Sequence, residues 1–243
     1  MKNKKESSGE SGVYRALQVE YREMASWYDS FWRPYLDQTL RKPLDLLHQQ
    51  VAAAHPRRLT VADIGCGTGV YLQRFISQQR EQANDAGSKI QLPKLIGIEP
   101  SKAMLDQARL KFDDNIVDFQ TAPAEKLPLP DESVDVVCST SAFHFFRDKQ
   151  RALVEMKRVL NKNGTLVITD WCNDYILVKL YHNVIERLRW IGFKEGYPGP
   201  IGSKEMLELV TETGFENIRI ETYTIRFWWI VIWGMHTITA TKT

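Results

Sequence analysis

The chain has 243 residues, 43% hydrophobic and 26% charged, with a formal net charge of +2. That is an ordinary composition for a soluble globular chain, long enough for one large domain or a domain with a cap. It is too near neutral to make nucleic acid the obligate partner. The most apolar run, FWWIVIWGM at 227–235, is far short of the roughly 20 residues a membrane-spanning helix needs. It reads as a strand or an interface patch, with peripheral membrane contact the most it suggests. No apolar segment lies near the N-terminus, so no secretory signal is expected. Cys66, Cys138 and Cys172 show neither disulfide nor metal spacing, which fits a reduced, cytoplasmic protein.

Residues 1–12, polar and carrying Lys2, Lys4 and Lys5, read as a disordered tail. Residues 13–55 are helical in texture and aromatic-rich. Tyr14, Tyr21 and Tyr28 recur at a fixed interval, and Trp27, Phe31, Trp32 and Tyr35 crowd the end. Pro34 and Pro43 are expected to break or restart helices there. His55 to Arg58 reads as a linker into residues 56–243.

From there strands and helices alternate. Strands are predicted at 60–64, 94–99, 117–120, 134–139 and 165–170. Helices are predicted at 70–79, after Ser101 as N-cap, and at 149–160. Ile176, Leu180, Val184, Leu188 and Ile191 share a helical period, predicting an amphipathic helix over 175–191. Ser203 is the expected cap of a helix to 213. Two β-rich segments follow from 217, with a break near Trp233 and Gly234. The pattern predicts an α/β fold, a doubly wound sheet covered by helices on both faces.

The sequence VADIGCGTG (61–69) joins a strand to a helix through Gly65, Gly67 and Gly69. In open α/β sheets such a loop sits where the strand order reverses, and ligands bind there. A glycine permits positive φ and the close approach of a ligand, and the helix N-terminus offers free N–H groups. The spacing is G-x-G-x-G, not the dinucleotide G-x-G-x-x-G, and no Lys follows the last glycine as in a P-loop. Asp63 ends the first strand and Glu99 the second. A carboxylate at Glu99 can accept both ribose hydroxyls of an adenosine.

The segments VADIGCGTG, LIGIEPSKAML, APAEKLPLPDESVDVVCSTSAFHFF and ALVEMKRVLNKNGTLVITD stand in order over about 60–170. Together they resemble the class I S-adenosylmethionine-dependent methyltransferases, the small-molecule subgroup similar to ubiquinone/menaquinone C-methyltransferases. The resemblance implies a Rossmann-like, mostly parallel seven-stranded sheet whose last strand is antiparallel. It also implies an N-terminal helical lid and a helical cap insertion at about 171–202. S-adenosylmethionine is the implied cofactor. Asp63 and the loop of Gly65, Cys66, Gly67 and Gly69 would hold its amino acid moiety, and Glu99 its ribose. Pro100 and Met104 would pack on the adenine.

Where many relatives carry Gly-Asp, this chain has Ala122 and Pro123. That leaves the Ala124 N–H and the Glu125 carboxylate as candidate adenine contacts. Ser139 and Thr140 are expected near the methyl group, and Tyr28 or Tyr21 of the lid against the cofactor. His144 is a candidate base or substrate positioner, or a locally packed histidine, and Asp170 faces the same rim. The cap aromatics, Tyr175, Tyr181, Trp190, Phe193 and Tyr197, point to a small apolar or aromatic acceptor. A monomer or homodimer is expected, with no bound metal. A catalytically silent cofactor-binding subunit is the alternative. Three thiols near one rim leave a thiophilic metalloid as a minor reading.

Overall fold

The computed structural model describes residues 22–85, 87, 91–113, 115–180, 199–227 and 230–243. Two helices come first, α1 (Tyr28–Thr39) and α2 (Arg41–Ala54). Then follow β1 (Thr60–Ile64), α3 (Val70–Asp85), β2 (Lys94–Ile98), α4 (Lys102–Arg109), β3 (Val117–Gln120) and β4 (Val134–Thr140). A 3-10 turn (Phe143–Phe145) leads to α5 (Lys149–Val159) and β5 (Leu160–Trp171). The chain ends with α6 (Ile176–Leu180), α7 (Ser203–Glu212), β6 (Glu216–Phe227) and β7 (Ile230–Thr241).

The strands form one seven-stranded sheet in the order β3-β2-β1-β4-β5-β7-β6. The first five run parallel, and β7 runs antiparallel to both β5 and β6. The expected doubly wound sheet with one reversed strand is the one observed.

Alternation along the strands divides the core into two layers. Val61, Leu95, Val136, Cys138 and Val167 pack on one face under α2 and α3, against Leu44, Leu47, Leu72 and Phe75. Ala62, Ile96, Val137, Leu166, Ile168 and Ile238 pack on the other, against Leu153 and Met156 of α5 and Met206 and Val210 of α7. Strands buried on both faces read as near-continuous apolar runs, as parallel strands do.

Several boundaries differ from expectation, each for a local reason. Pro34 lies inside α1 without ending it; the helix instead stops at Thr39, after the buried Leu36 has anchored its last turn. Pro43 sits in the first turn of α2, where an N–H would have no intrahelical partner. α3 continues beyond residue 79 to Asp85, because Arg80, Glu81, Gln82 and Ala83 are good helix formers after the apolar stripe has ended. Ser203 is the first residue of α7, not its cap; Gly202 holds that position. The Asp174 carboxylate instead accepts from the Ser203 N–H at 3.0 Å and from its hydroxyl.

The break expected near Trp233 and Gly234 is absent. Both residues pair within the hairpin, Gly234 with Thr224 and Trp233 with Ile225. Gly234 is there for packing: a Cβ on it would lie 1.8 Å from the Tyr175 ring and 2.6 Å from its Cβ. Tyr14, Tyr21, the tail, and the expected cap beyond Leu180 with Tyr181, Trp190, Phe193 and Tyr197 lie outside the described residues.

Gly234→Ala is expected to lower stability by about 1–3 kcal/mol, the usual cost of forcing extra volume into a packed site. Urea unfolding measures it, and adding Tyr175→Ala should recover part of the loss, because both substitutions act on one contact.

Candidate functional site

The strand order reverses between β1 and β4, and the crevice opens at the carboxyl ends of these strands. Gly65, Gly67 and Gly69 all have positive φ, at 76°, 53° and 74°. The Gly65 and Cys66 N–H groups both reach the Ile98 carbonyl, at 2.7 and 3.1 Å, which ties the loop to the end of β2. A Cβ on Gly65 would fall 2.5 Å from the Ala142 Cβ, so this glycine lets the strand-four loop close over the site. At Gly67 a Cβ would meet nothing within 4 Å, so that glycine leaves open space.

That space belongs to a cavity of about 1060 Å³, counting solvent at its mouth. Of the candidate site residues, Gly65, Cys66, Gly67, Glu99, Pro100, Met104, Ala124, Glu125, Thr140 and Tyr28 line it. So do Leu36 of α1, Leu40 just after it, Tyr71 of α3, and Ser141, Ala142, Phe145 and Phe146 after β4.

Asp63, Gly69, Ser139, His144 and Asp170 do not. Gly69 packs against Phe112 and Ala108. Ser139 is fully buried; successive strand residues face opposite ways, and at this position Thr140 takes the cavity side. Asp63 lies behind the loop, fully buried.

The two candidates His144 and Asp170 lie together, outside the cavity lining. Both side chains are 2% exposed, and they bond to each other, Nδ1 to Oδ1 at 2.5 Å. Asp170 also accepts from the His144 N–H at 2.6 Å and from the Trp171 N–H at 2.7 Å. The His144 ring stacks on Trp171, centroids 4.3 Å apart. Burial alone would raise the Asp170 carboxyl, but His144 and the Trp171 N–H hold it below the usual carboxylate range. The pair fastens the 3-10 turn to the end of β5.

The strongest electrostatic feature is the acid pair. Burial raises Asp63 to about 8, with a further push from Glu99. Among the described residues neither Asp63 oxygen has a hydrogen-bond partner. Burial raises Glu99 to about 7, although the Ser101 and Gly67 N–H groups act against it; they bond its two oxygens at 2.9 and 3.2 Å. Glu125 gives one oxygen to the Arg147 and Asp148 N–H groups at 2.8 and 3.2 Å. The Cys66 thiol is raised well above its usual range, chiefly by burial. The three thiols do not come together: Cys138 sits under Tyr71 and Cys172 bridges to Ile201. Among the described residues no cluster of three His, Cys, Asp or Glu side chains could hold a metal ion.

Sequence reasoning missed how α1 is fixed over the cavity. Asp29 takes a hydrogen bond from the Thr68 hydroxyl and pairs with Lys111, which also reaches the Thr68 carbonyl at 2.7 Å. Asp37 pairs with Arg74 of α3. At the other rim, the Tyr35 hydroxyl meets Ser141 at 2.8 Å and Trp171 Nε1 at 2.7 Å. These partners are 37 to 136 residues apart. Asp29, Tyr35 and Asp37 stand in a segment that reads only as helical in texture, and nothing local in the sequence marks their partners.

A family profile described as a methyltransferase domain matches residues 62–168. The chain is 26% identical over 181 residues to the ubiquinone/menaquinone biosynthesis C-methyltransferase UbiE of Campylobacter jejuni serotype O:2, covering 68% of this chain and 74% of that one. It is 34% identical over 113 residues to the UbiE protein of C. jejuni strain 81-176, there covering 46% of this chain and spanning less than half, 45%, of the relative. Its fold is shared with a Thermotoga maritima S-adenosylmethionine-dependent methyltransferase, described as a possible histamine N-methyltransferase, at TM-score 0.63 and 21% identity over 92% of this chain and 98% of the other. The matched region carries β1, the glycine loop and the acidic end of β2 that frame the cavity. With this sheet order, the chain carries a methyltransferase domain over residues 62–168 and the Rossmann-like fold of S-adenosylmethionine-dependent methyltransferases.

Proposed function

We propose that the chain transfers the methyl group of S-adenosylmethionine to a small apolar or aromatic acceptor. One observation carries this reading: beyond the glycine loop and Glu99, the walls include the apolar side chains Leu36, Leu40, Ala142, Phe145 and Phe146, with Tyr71, Thr140 and Ser141 beside them. Such walls favour an apolar ring over a sugar phosphate. The relatives named for quinone methylation agree with it.

The residues fit the cofactor. Its ammonium and sulfonium are cations, and the site holds two buried carboxylates with no cation paired to either among the described residues. Glu99 would take the ribose hydroxyls, since each carboxylate oxygen accepts more than the single N–H it now holds. The loop around Gly67 would hold the amino acid moiety, with Asp63 acting through its charge from behind the loop. Pro100, Met104 and the Ala124 N–H would frame the adenine, with the free Glu125 oxygen near its amino group. Tyr28 would cover the cofactor from α1. When bound, the cofactor supplies an already activated methyl group, so the protein's task is alignment and exclusion of water. We assign His144 and Asp170 to positioning, because their bonds hold the turn that carries the apolar wall.

The direct test is turnover with a panel of acceptors, read as S-adenosylhomocysteine formed. Small phenols, quinols and aromatic amines should be methylated; turnover confined to sugar phosphates or nucleic acid would refute the acceptor class. Glu99→Gln should weaken S-adenosylhomocysteine binding at least tenfold, about 1.4 kcal/mol, in calorimetric titration.

The acid pair also fixes a pH dependence. Because its folded-state pKa values lie above the ordinary ones, the empty folded protein keeps protons that the unfolded chain has released. Its stability therefore falls as pH rises from about 4 through about 8. A cation binds the ionised pair, so cofactor affinity should rise between pH 6 and 7.5, below the range where a free α-amino group loses its own proton, about 7.7–8.0. Asp63→Asn should flatten both trends, measured by thermal unfolding and by titration at each pH.

A further inference from the structure

Ser141 follows β4 at the cavity wall. Its φ is 53°, a left-handed conformation that is uncommon for a residue with a side chain and is often kept where a site requires it. Its N–H is fixed to the Thr169 carbonyl at 2.8 Å. Trp171 Nε1 is a donor only, so at 2.7 Å the Tyr35 oxygen accepts from it. The single Tyr35 hydrogen then has two acceptors in reach. Ser141 Oγ lies at 2.8 Å, the usual O–H···O length; Met235 Sδ lies at 3.9 Å and is a weak acceptor. Either oxygen of the Tyr35–Ser141 pair can be the donor; with Tyr35 donating, the Ser141 oxygen is an acceptor within the chain and its own hydrogen is left for a ligand.

We infer that Ser141 is a specificity-determining residue, donating a hydrogen bond to an oxygen of the methyl acceptor, a carbonyl or phenolate oxygen carried on an apolar ring. The inference rests on the proposed apolar acceptor and names its polar handle. A donor at the cavity wall disfavours the cationic sulfonium as its partner and suits a neutral or anionic oxygen. Tyr35 and Trp171 orient that donor from outside the cavity lining, so the Ser141 hydroxyl stays aligned beside Ala142, Phe145 and Phe146. An acceptor without such an oxygen would leave the hydroxyl buried and unpaired, which is the basis of discrimination in sites of this kind.

The test compares 2-acetylnaphthalene with 2-isopropenylnaphthalene, which has nearly the same shape but a C=CH₂ group in place of the carbonyl. Binding is titrated with S-adenosylhomocysteine saturating. The wild type should prefer the ketone by about tenfold or more. Ser141→Gly, which suits the backbone conformation, and Ser141→Ala should both abolish the preference while leaving S-adenosylhomocysteine affinity within about twofold. Tyr35→Phe should reduce the preference without removing it. No preference in the wild type, or a preference that survives in Ser141→Gly, overturns the inference. A parallel loss of S-adenosylhomocysteine affinity also overturns it, by assigning the hydroxyl to the cofactor. Binding of neither naphthalene overturns it together with the apolar-acceptor reading; absence of S-adenosylhomocysteine binding in the wild type refutes the cofactor seating instead.

Discussion

Two carboxylates, Asp63 and Glu99, lie buried at the ends of neighbouring strands with no cation beside them among the described residues. Burying a charge without a partner is costly, and both groups answer by holding protons more tightly. A fold keeps such a pair only where something outside the chain completes it. The rest of the site is arranged around this imbalance. The glycine loop passes in front of Asp63, its N–H groups tied to β2 at Ile98. The Gly67 N–H caps one Glu99 oxygen, and the surrounding walls are apolar enough to keep the local dielectric low.

The sheet explains why these groups meet at all. Asp63 sits beside Gly97 and Cys138 in the register of β1. The residue after β2 therefore comes to the same rim as the residue after β1. Helices on the two faces leave that rim uncovered at the switch between β1 and β4. The 3-10 turn closes one side of the opening, held to β5 by the His144–Asp170 bond. The His144–Asp170 bond is an internal fastening, and the apolar turn beside it forms the wall.

What the sequence reveals follows the range of each interaction. Strand and helix order, the Ser101 cap, the loop glycines and the acidic strand ends are local patterns, and all appear where expected. Gly234 misleads because a glycine needed for the Tyr175 ring looks the same as a glycine in a turn. Pro34 misleads because tertiary packing of Leu36 outweighs one missing hydrogen bond. Ser139 and Thr140 are adjacent letters, but the strand pleat turns only one toward the cavity. Ser141 carries no motif of its own, and its importance depends on Tyr35, 106 residues away. Spacing along the chain contains no record of that meeting.

α1 is fastened at both ends of the cavity. Asp29 and Asp37 hold it to the glycine-loop side through Thr68, Lys111 and Arg74, and Tyr35 holds it to Ser141 and Trp171 on the other. One rigid rod therefore bridges the half of the cleft that would receive the nucleoside and the half that would receive the second molecule. Any outward swing of this rod unhooks an ion pair at one margin and a hydroxyl chain at the other. The two compartments are in this way mechanically joined: loosening one disturbs the alignment of the donor in its neighbour.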